Sequence, residues 1–173
     1  YLSYNLIMQV NIALLTVTDT RTIDTDKSGA ILVKKIKEQN HNLVDRKIVK
    51  DEKKEIKKIL LDWLKSKELD VIITTGGTGL TGRDITPEVI KEIADKEIPG
   101  FGELFRELSY KTVGTSAMQS RACAVLANGK YIFALPGSSG GVTDAWEGIL
   151  KYQLDINHKP CNFVELFPRL KEK

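Results

Sequence analysis

Cysteine and histidine are scarce in this 173-residue sequence, and neither is spaced for chemistry. Cys123 and Cys161 form no C-x-x-C pair, which excludes the dithiol motifs built on that spacing. Cys123 falls in an apolar run and reads as a reduced, buried thiol, the usage of a cytoplasmic protein. His41 and His158 stand in turn-like segments without ligand spacing, so neither is assigned a metal or catalytic role. No apolar run reaches the length of a membrane span, and no basic-then-apolar leader is visible. Net charge is only +3, so nothing calls for nucleic acid or an acidic membrane as partner. The chain opens on Tyr1 rather than Met, and further residues upstream are expected.

What is present is an ordinary globular composition, 42% hydrophobic and 28% charged. A chain this long can bury about 70% of its unfolded surface. Without repeats, low-complexity tracts or linkers, residues 1–173 read as a single domain, with a core of about 9–155 and an irregular tail.

Strand and helix patterns alternate, which predicts an α/β fold with three layers around a mostly parallel, mixed sheet. Strands are expected over 10–17, 43–49 and 71–73. Helical spacing covers 31–39 and, most clearly, 53–65, where Ile56, Ile59, Leu60, Trp63 and Leu64 share a face. A helix over 87–94 with Thr86 as its N-cap is followed by a break at Pro99-Gly100 and a short helix over 103–108. Apolar runs 121–126 and 131–135 flank Asn128-Gly129 and predict an antiparallel hairpin; a last helix covers 142–152.

The most informative segment runs from Asp70 to Glu88. A buried apolar strand empties into a loop with four glycines, Arg83 and Asp84, and then into a helix start at Thr86-Pro87-Glu88. Glycines that bare backbone N–H groups, next to a helix N-terminus, suit an anion such as phosphate. Gly77 to Gly82 has G-x-G-x-x-G spacing, but three residues intervene before the helix, unlike a dinucleotide site. The same loop has Arg83-Asp84 where a P-loop needs Lys-Ser/Thr, and no second unit offers a ribose-binding acid.

In an open α/β sheet, ligands gather beyond the carboxyl ends of the parallel strands. Four such ends are small and polar here: Thr16 to Asp19, Lys50 to Glu52, Thr74 to Gly79, and Pro136 to Ser139. Their hydroxyls, amide turns and three carboxylates (Asp19, Asp51, Asp84) fit a phosphate-rich substrate with Mg²⁺. Plainer roles exist. Asp51 precedes the best helix and could be its N-cap; Asp84 could brace a turn; Arg121 could be a solvated edge residue; Trp63 and Trp146 suit a core or an interface.

Thr74-Thr-Gly-Gly-Thr-Gly79, Gly82-Arg-Asp-Ile-Thr-Pro-Glu88, Pro99-Gly-Phe-Gly102, Ser120-Arg121 and Leu135-Pro-Gly137 occur in one order over nearly the whole chain. Together they resemble the Mog/MoaB type of molybdenum-cofactor biosynthesis proteins. The MoaB branch is nearest, through Ile48-Val-Lys-Asp51, Gly114-Thr-Ser116, Gln119-Ser-Arg121 and Lys159-Pro-Cys-Asn-Phe163. The resemblance implies adenylylation of molybdopterin by Mg·ATP with release of pyrophosphate, and hand-over of the product to a downstream metal-insertion protein. It maps the family's two important aspartates onto Asp51 and Asp84, which are then expected to be catalytic and to bind Mg²⁺. Gly76, Gly77, Thr78 and Gly79, with Pro136, Gly137 and Ser138, are expected to hold the nucleotide and pterin phosphates. Thr18, Asp19, Glu88, Ser116, Ser120 and Arg121 are further candidates for substrate contact. Both acids are kept here, although some MoaB-branch proteins replace them; Ser139 stands where the Mog branch has a second proline. The implied assembly is a homotrimer or homohexamer, with the two tryptophans and the 103–108 region as candidate contacts. The alternative is a non-catalytic pterin-binding or assembly protein of the same fold.

Overall fold

The computed structural model describes residues 8–172. Six strands form one sheet: β1 Asn11–Val17, β2 Asn42–Val49, β3 Val71–Thr75, β4 Lys96–Glu97, β5 Cys123–Ala127 and β6 Lys130–Leu135. Their order is β2-β1-β3-β6-β5-β4, with β2, β1, β3 and β6 parallel and β5 antiparallel to both its neighbours. The sheet is mixed and mostly parallel, as the alternation of elements predicts.

Side-chain alternation along the strands divides the core in two. Ile12, Leu14, Val71, Ile73 and Phe133 face α1 (Lys27–Glu38), α4 (Pro99–Val113) and a last helical run, meeting Leu32, Ile36, Phe105 and Trp146. Ala13, Leu15, Ile72 and Ile132 point the other way, onto Ile56, Leu60 and Trp63 of α2 (Lys53–Lys65) and Val89 and Ile90 of α3 (Thr86–Glu92). Helices therefore cover both faces, and β3 and β6 are buried along their whole length, which is why they read as unbroken apolar runs. No helix among the described residues is long and apolar enough to cross a membrane.

Several boundaries differ from the sequence reading. Pro99-Gly100 does not break the chain: Pro99 begins the 15-residue α4, where its missing N–H costs nothing. Gly102 is there for close packing, since a Cβ would stand 2.6 Å from the carbonyl oxygen of Ala122. The helix ends at Gly114, at φ +59°, and a 3₁₀ turn, Gly114–Gln119, follows. Ile85, not Thr86, is the N-cap of α3; the buried Thr86 hydroxyl instead donates to the carbonyl of Gly76 at 3.0 Å. The last helical run starts early, as α5 (Ser139–Ala145) capped by Ser138, and passes through a π turn (Trp146–Leu150) into α6 (Lys151–Gln153). The tail is not wholly irregular. A 3₁₀ segment, Val164–Arg169, buries Val164 and brings Phe163 and Phe167 to 4.6 and 5.7 Å from the Tyr131 ring. The Asn128-Gly129 hairpin forms, both residues at positive φ.

Both tryptophans are buried, Trp63 at 5% and Trp146 at 2% exposure, so neither is free to serve a subunit contact as the sequence reading allowed. Cys123 is unpaired and only partly exposed, and burial pushes its thiol up to about 11; Cys161 is exposed. His41 is structural, its Nδ1 accepting the backbone N–H of Val10 at 3.3 Å.

Candidate functional site

The chain winds from β1 outward to β2, then crosses back over β1 to β3. The connections therefore leave in opposite directions at the β1–β3 boundary, the place where open α/β sheets form a crevice. In register, Val17 pairs with Val49, Thr16 with Thr75, and Thr75 with Leu135, so four strands end level. The polar ends named from the sequence thus form one rim.

Glycine is required where these ends touch. Gly76, at φ +99°, leaves no room for a side chain: a Cβ would meet the carbonyl oxygen of Val17 at 2.1 Å. At Gly77, φ +66°, it would meet the Thr86 hydroxyl at 2.3 Å and Asp51 Oδ1 at 2.9 Å. Gly137 packs on Gly76, and the Thr75 hydroxyl donates to the Pro136 carbonyl at 2.7 Å. The tips of β2, β3 and β6 are therefore in contact around the glycine loop. Replacing Gly77 with Ala is expected to lower the melting temperature by several degrees, because strain at such a position costs about 1–3 kcal/mol. Gly82→Ala, where nothing lies within 4 Å, should melt as the parent does.

The loop offers fewer free amides than its glycines suggest. The N–H of Gly76 donates to the Leu135 carbonyl at 3.0 Å. Those of Gly79 and Thr81 are turned to the Asp84 carboxylate, Thr81 at 2.8 Å. Among the described residues, the N–H groups of Gly77, Thr78, Leu80, Gly82 and Arg83 are left without an acceptor. Gly76 and Gly79 are thus structural at the amide, and of the unsatisfied positions Gly77, with Thr78 after it, is the one placed against Asp51.

The two acids are held differently. Asp84 lies against Gly79, where a Cβ would come within 2.8 Å of its Oδ2; that oxygen also accepts the Thr81 hydroxyl at 2.6 Å. Burial opposes its charge, but the hydrogen bonds from Thr81 and Gly79 prevail and hold the carboxyl below the usual aspartate value. Asp51 is not the N-cap that its position suggests. Glu52 occupies that place, without a side-chain cap, and the Asp51 carboxylate accepts no hydrogen bond among the described residues. Burial first, then the charges of Asp19 and Asp84, raise its pKa. A half-buried carboxylate pressed against the glycine loop, without a partner and facing two other acids, is a group poised for a cation.

No group of three or more His, Cys, Asp or Glu among the described residues could enclose a metal by itself.

The other predicted residues are spread over several places. Thr18 and Asp19 line a cleft of about 660 Å³ that opens beside the β1 and β2 tips. The Thr18 hydroxyl accepts the N–H groups of Thr20 and Arg21, and the backbone N–H of Asp51 donates to Asp19 Oδ1 at 3.2 Å. Ser138 is spent in part on capping α5, accepting the Gly141 N–H at 3.1 Å. Glu88, Ser120 and Arg121 instead line a second cleft, of about 440 Å³, behind the glycine loop. Arg121 is a brace: its guanidinium donates to the carbonyls of Gly79 (2.7 Å) and Asp84 (2.9 Å) and pairs with Glu88. Ser116 is exposed on the 3₁₀ turn, and no hydrogen bond among the described residues ties it to the strand tips. Sequence reasoning passed over Arg83, whose guanidinium pairs with both Asp19 and Glu52 across the rim. Its position between Gly82 and Asp84 was the available signal.

Comparison with known proteins bears on this geometry. A family profile described as "Probable molybdopterin binding domain" matches residues 13–155, which holds every strand except the first two residues of β1. The chain belongs to this molybdenum-cofactor biosynthesis family. It is 44% identical over 161 residues to molybdenum cofactor biosynthesis protein B of Escherichia coli K12, covering 93% of each chain. A crystal structure of a molybdenum cofactor biosynthesis protein B superposes with a TM-score of 0.86 at 39% identity, covering 96% of this chain and 98% of that one. The tungsten cofactor synthesizing protein MoaB from Pyrococcus furiosus gives 0.77 at 36%, covering 87% and 96%. Family membership and fold agree with the motif order from Thr74 to Gly137.

Proposed function

We propose that this protein serves molybdenum or tungsten cofactor biosynthesis by transferring AMP from ATP to molybdopterin. The observation that carries the reading is the unpartnered Asp51 carboxylate set against Gly77, beside the free amides of Gly77 and Thr78, with Asp84 against Gly79 of the same loop. Names of relatives point to the cofactor, and the rim's chemistry points to phosphates.

In the proposed reaction a terminal phosphate oxygen of the pterin attacks the α-phosphorus of ATP. A P–O–P linkage forms, the bond from the α-phosphorus to the bridging oxygen breaks, and pyrophosphate leaves with that electron pair. No proton transfer is needed if the attacking phosphate is ionised. The protein's task is therefore to position two anions and offset their repulsion. The N–H groups of Gly77 and Thr78 would grip a phosphate of one reactant. Asp51, against Gly77, and Asp84, against Gly79, would hold Mg²⁺, which would supply charge neutralisation of the phosphates and the leaving group. Arg121 fixes the loop from behind by holding the carbonyls of Gly79 and Asp84.

Incubation with molybdopterin, ATP and Mg²⁺ is expected to release one pyrophosphate per adenylylated pterin formed, followed by coupled phosphate assay and mass spectrometry. Tight pterin binding without pyrophosphate release at any protein concentration would instead identify a carrier or assembly protein and overturn the transferase reading.

A further inference from the structure

Four carboxylates crowd the rim: Asp19, Asp51, Glu52 and Asp84. Such a cluster would repel the polyphosphate that the proposed function requires. Lys50 acts on Asp19 and Arg121 on Asp84 through their charge, but among the described residues Arg83 is the cation hydrogen-bonded to two of the four acids. Arg83 Nε and Nη2 each reach an oxygen of Asp19 at 3.0 Å, and Nη1 reaches Glu52 Oε1 at 2.9 Å. One guanidinium thus spans from the glycine loop to the tips of both β1 and β2, in a bidentate-plus-one geometry that a lysine cannot copy.

The contact reaches further through Asp19. The oxygen of Asp19 that receives Nη2 also accepts the backbone N–H of Asp51. Holding Asp19 therefore holds the backbone that carries the unpartnered acid. These side chains are substantially exposed, Arg83 at 54%, Asp19 at 37% and Glu52 at 52%, so the pairs add little to stability. Their geometry is explained better by what they do to the rim's charge.

We propose that Arg83 is a positioning residue that engages Asp19 and Glu52 and offsets one of their two charges, leaving Asp51 and Asp84 as the rim acids outside an ion pair, for a metal-bound polyphosphate. The proposal rests on reading the rim as a phosphate site, not on the transfer step. It makes opposite predictions for two ligands. Removing the guanidinium adds uncompensated negative charge, which favours a bare divalent cation and disfavours a nucleotide. A merely structural role would weaken both together.

The test is calorimetric titration of MgATP and, separately, of MnCl₂ without nucleotide, into the parent protein and its variants. Arg83→Gln is expected to weaken MgATP roughly tenfold and to tighten Mn²⁺ several-fold, the scale of one or two close surface charges. Arg83→Lys should fall between. Adding Asp19→Asn to Arg83→Gln should recover most of the MgATP affinity, because the charge that Arg83 offset is gone. Melting temperature should move by no more than about 2 °C in any of them. Unchanged MgATP affinity in Arg83→Gln, parallel weakening of both ligands, or no recovery on adding Asp19→Asn would overturn the proposal. Parent protein that binds MgATP but transfers no AMP would remove the transferase reading and leave this proposal standing. Parent protein that binds no MgATP would remove both.

Discussion

Asp51→Asn is expected, on the proposed transferase reading, to lower the adenylylation rate by about 10²–10³-fold while leaving the protein as stable as before, or slightly more so. The side chain accepts no hydrogen bond among the described residues, so an amide of the same shape breaks nothing. Its raised pKa carries a sign. A carboxyl that titrates higher in the folded than in the unfolded chain destabilises folding wherever it is ionised, and this effect fades as pH falls through the folded value. Above that value Asn removes the penalty, so the melting temperature should hold or rise as activity disappears. Asp84→Asn should lose activity on the same scale but gain no stability, because the Asp84 carboxylate accepts strong hydrogen bonds from Thr81 and an amide accepts weaker ones. Pre-steady-state pyrophosphate release beside thermal melts of the three proteins makes the comparison. Retention of even a tenth of the activity by Asp51→Asn would defeat its assigned role.

The contrast between these acids also shows what a sequence can and cannot carry. The rim was legible because four strands of similar length end in small polar residues, and a parallel register brings such ends level. Helix α2 was legible to the residue because its pattern is purely local: Ile56, Leu60 and Trp63 recur on one face. Local signals misled where a side chain has a distant partner. Thr86 has the chemistry of an N-cap, but its hydroxyl is taken by Gly76 ten residues earlier. Pro99-Gly100 has the chemistry of a break, yet Phe101 and Phe105 dock on the core and carry the helix through it. Asp51 looks like a cap and is left unpaired, since α2 begins one residue later. Arg83 was invisible as a strap because its partners lie 64 and 31 residues away. Glycine content likewise overstated the supply of amides, since Gly76 and Gly79 spend theirs on Leu135 and Asp84.

The same distance problem hides the largest structural effect in the chain, expected at Asp26. Its carboxylate is 1% exposed and accepts four hydrogen bonds from three elements. Thr16 Oγ1 donates at 2.6 Å from β1, Gly29 N at 2.9 Å and Ser28 Oγ at 3.2 Å from the first turn of α1, and Arg46 Nη2 at 3.0 Å from β2. It is the N-cap of α1 and also the counter-ion of a half-buried arginine whose Nε already lacks a partner. Asp26→Ala would leave Arg46 as an uncompensated charge and strand the Thr16 hydroxyl two residues below Thr18 at the rim. Breaking a buried pair in this way costs about 3–5 kcal/mol, roughly a 10 °C fall in melting temperature for a chain of this size. Burial opposes the charged form here too, but the bonds from Thr16, Gly29, Arg46 and Ser28 outweigh it and set the pKa below the ordinary value. A depressed carboxyl stabilises the fold above its unfolded pKa, and that stability drains away as pH falls through the lower folded value. Urea melts from pH 7 down to pH 3 should therefore show the parent losing its advantage over Asp26→Asn below about pH 4. A constant difference between the two across that range would mean that Asp26 stabilises as a hydrogen-bond acceptor alone, and that its charge contributes nothing beneath the rim.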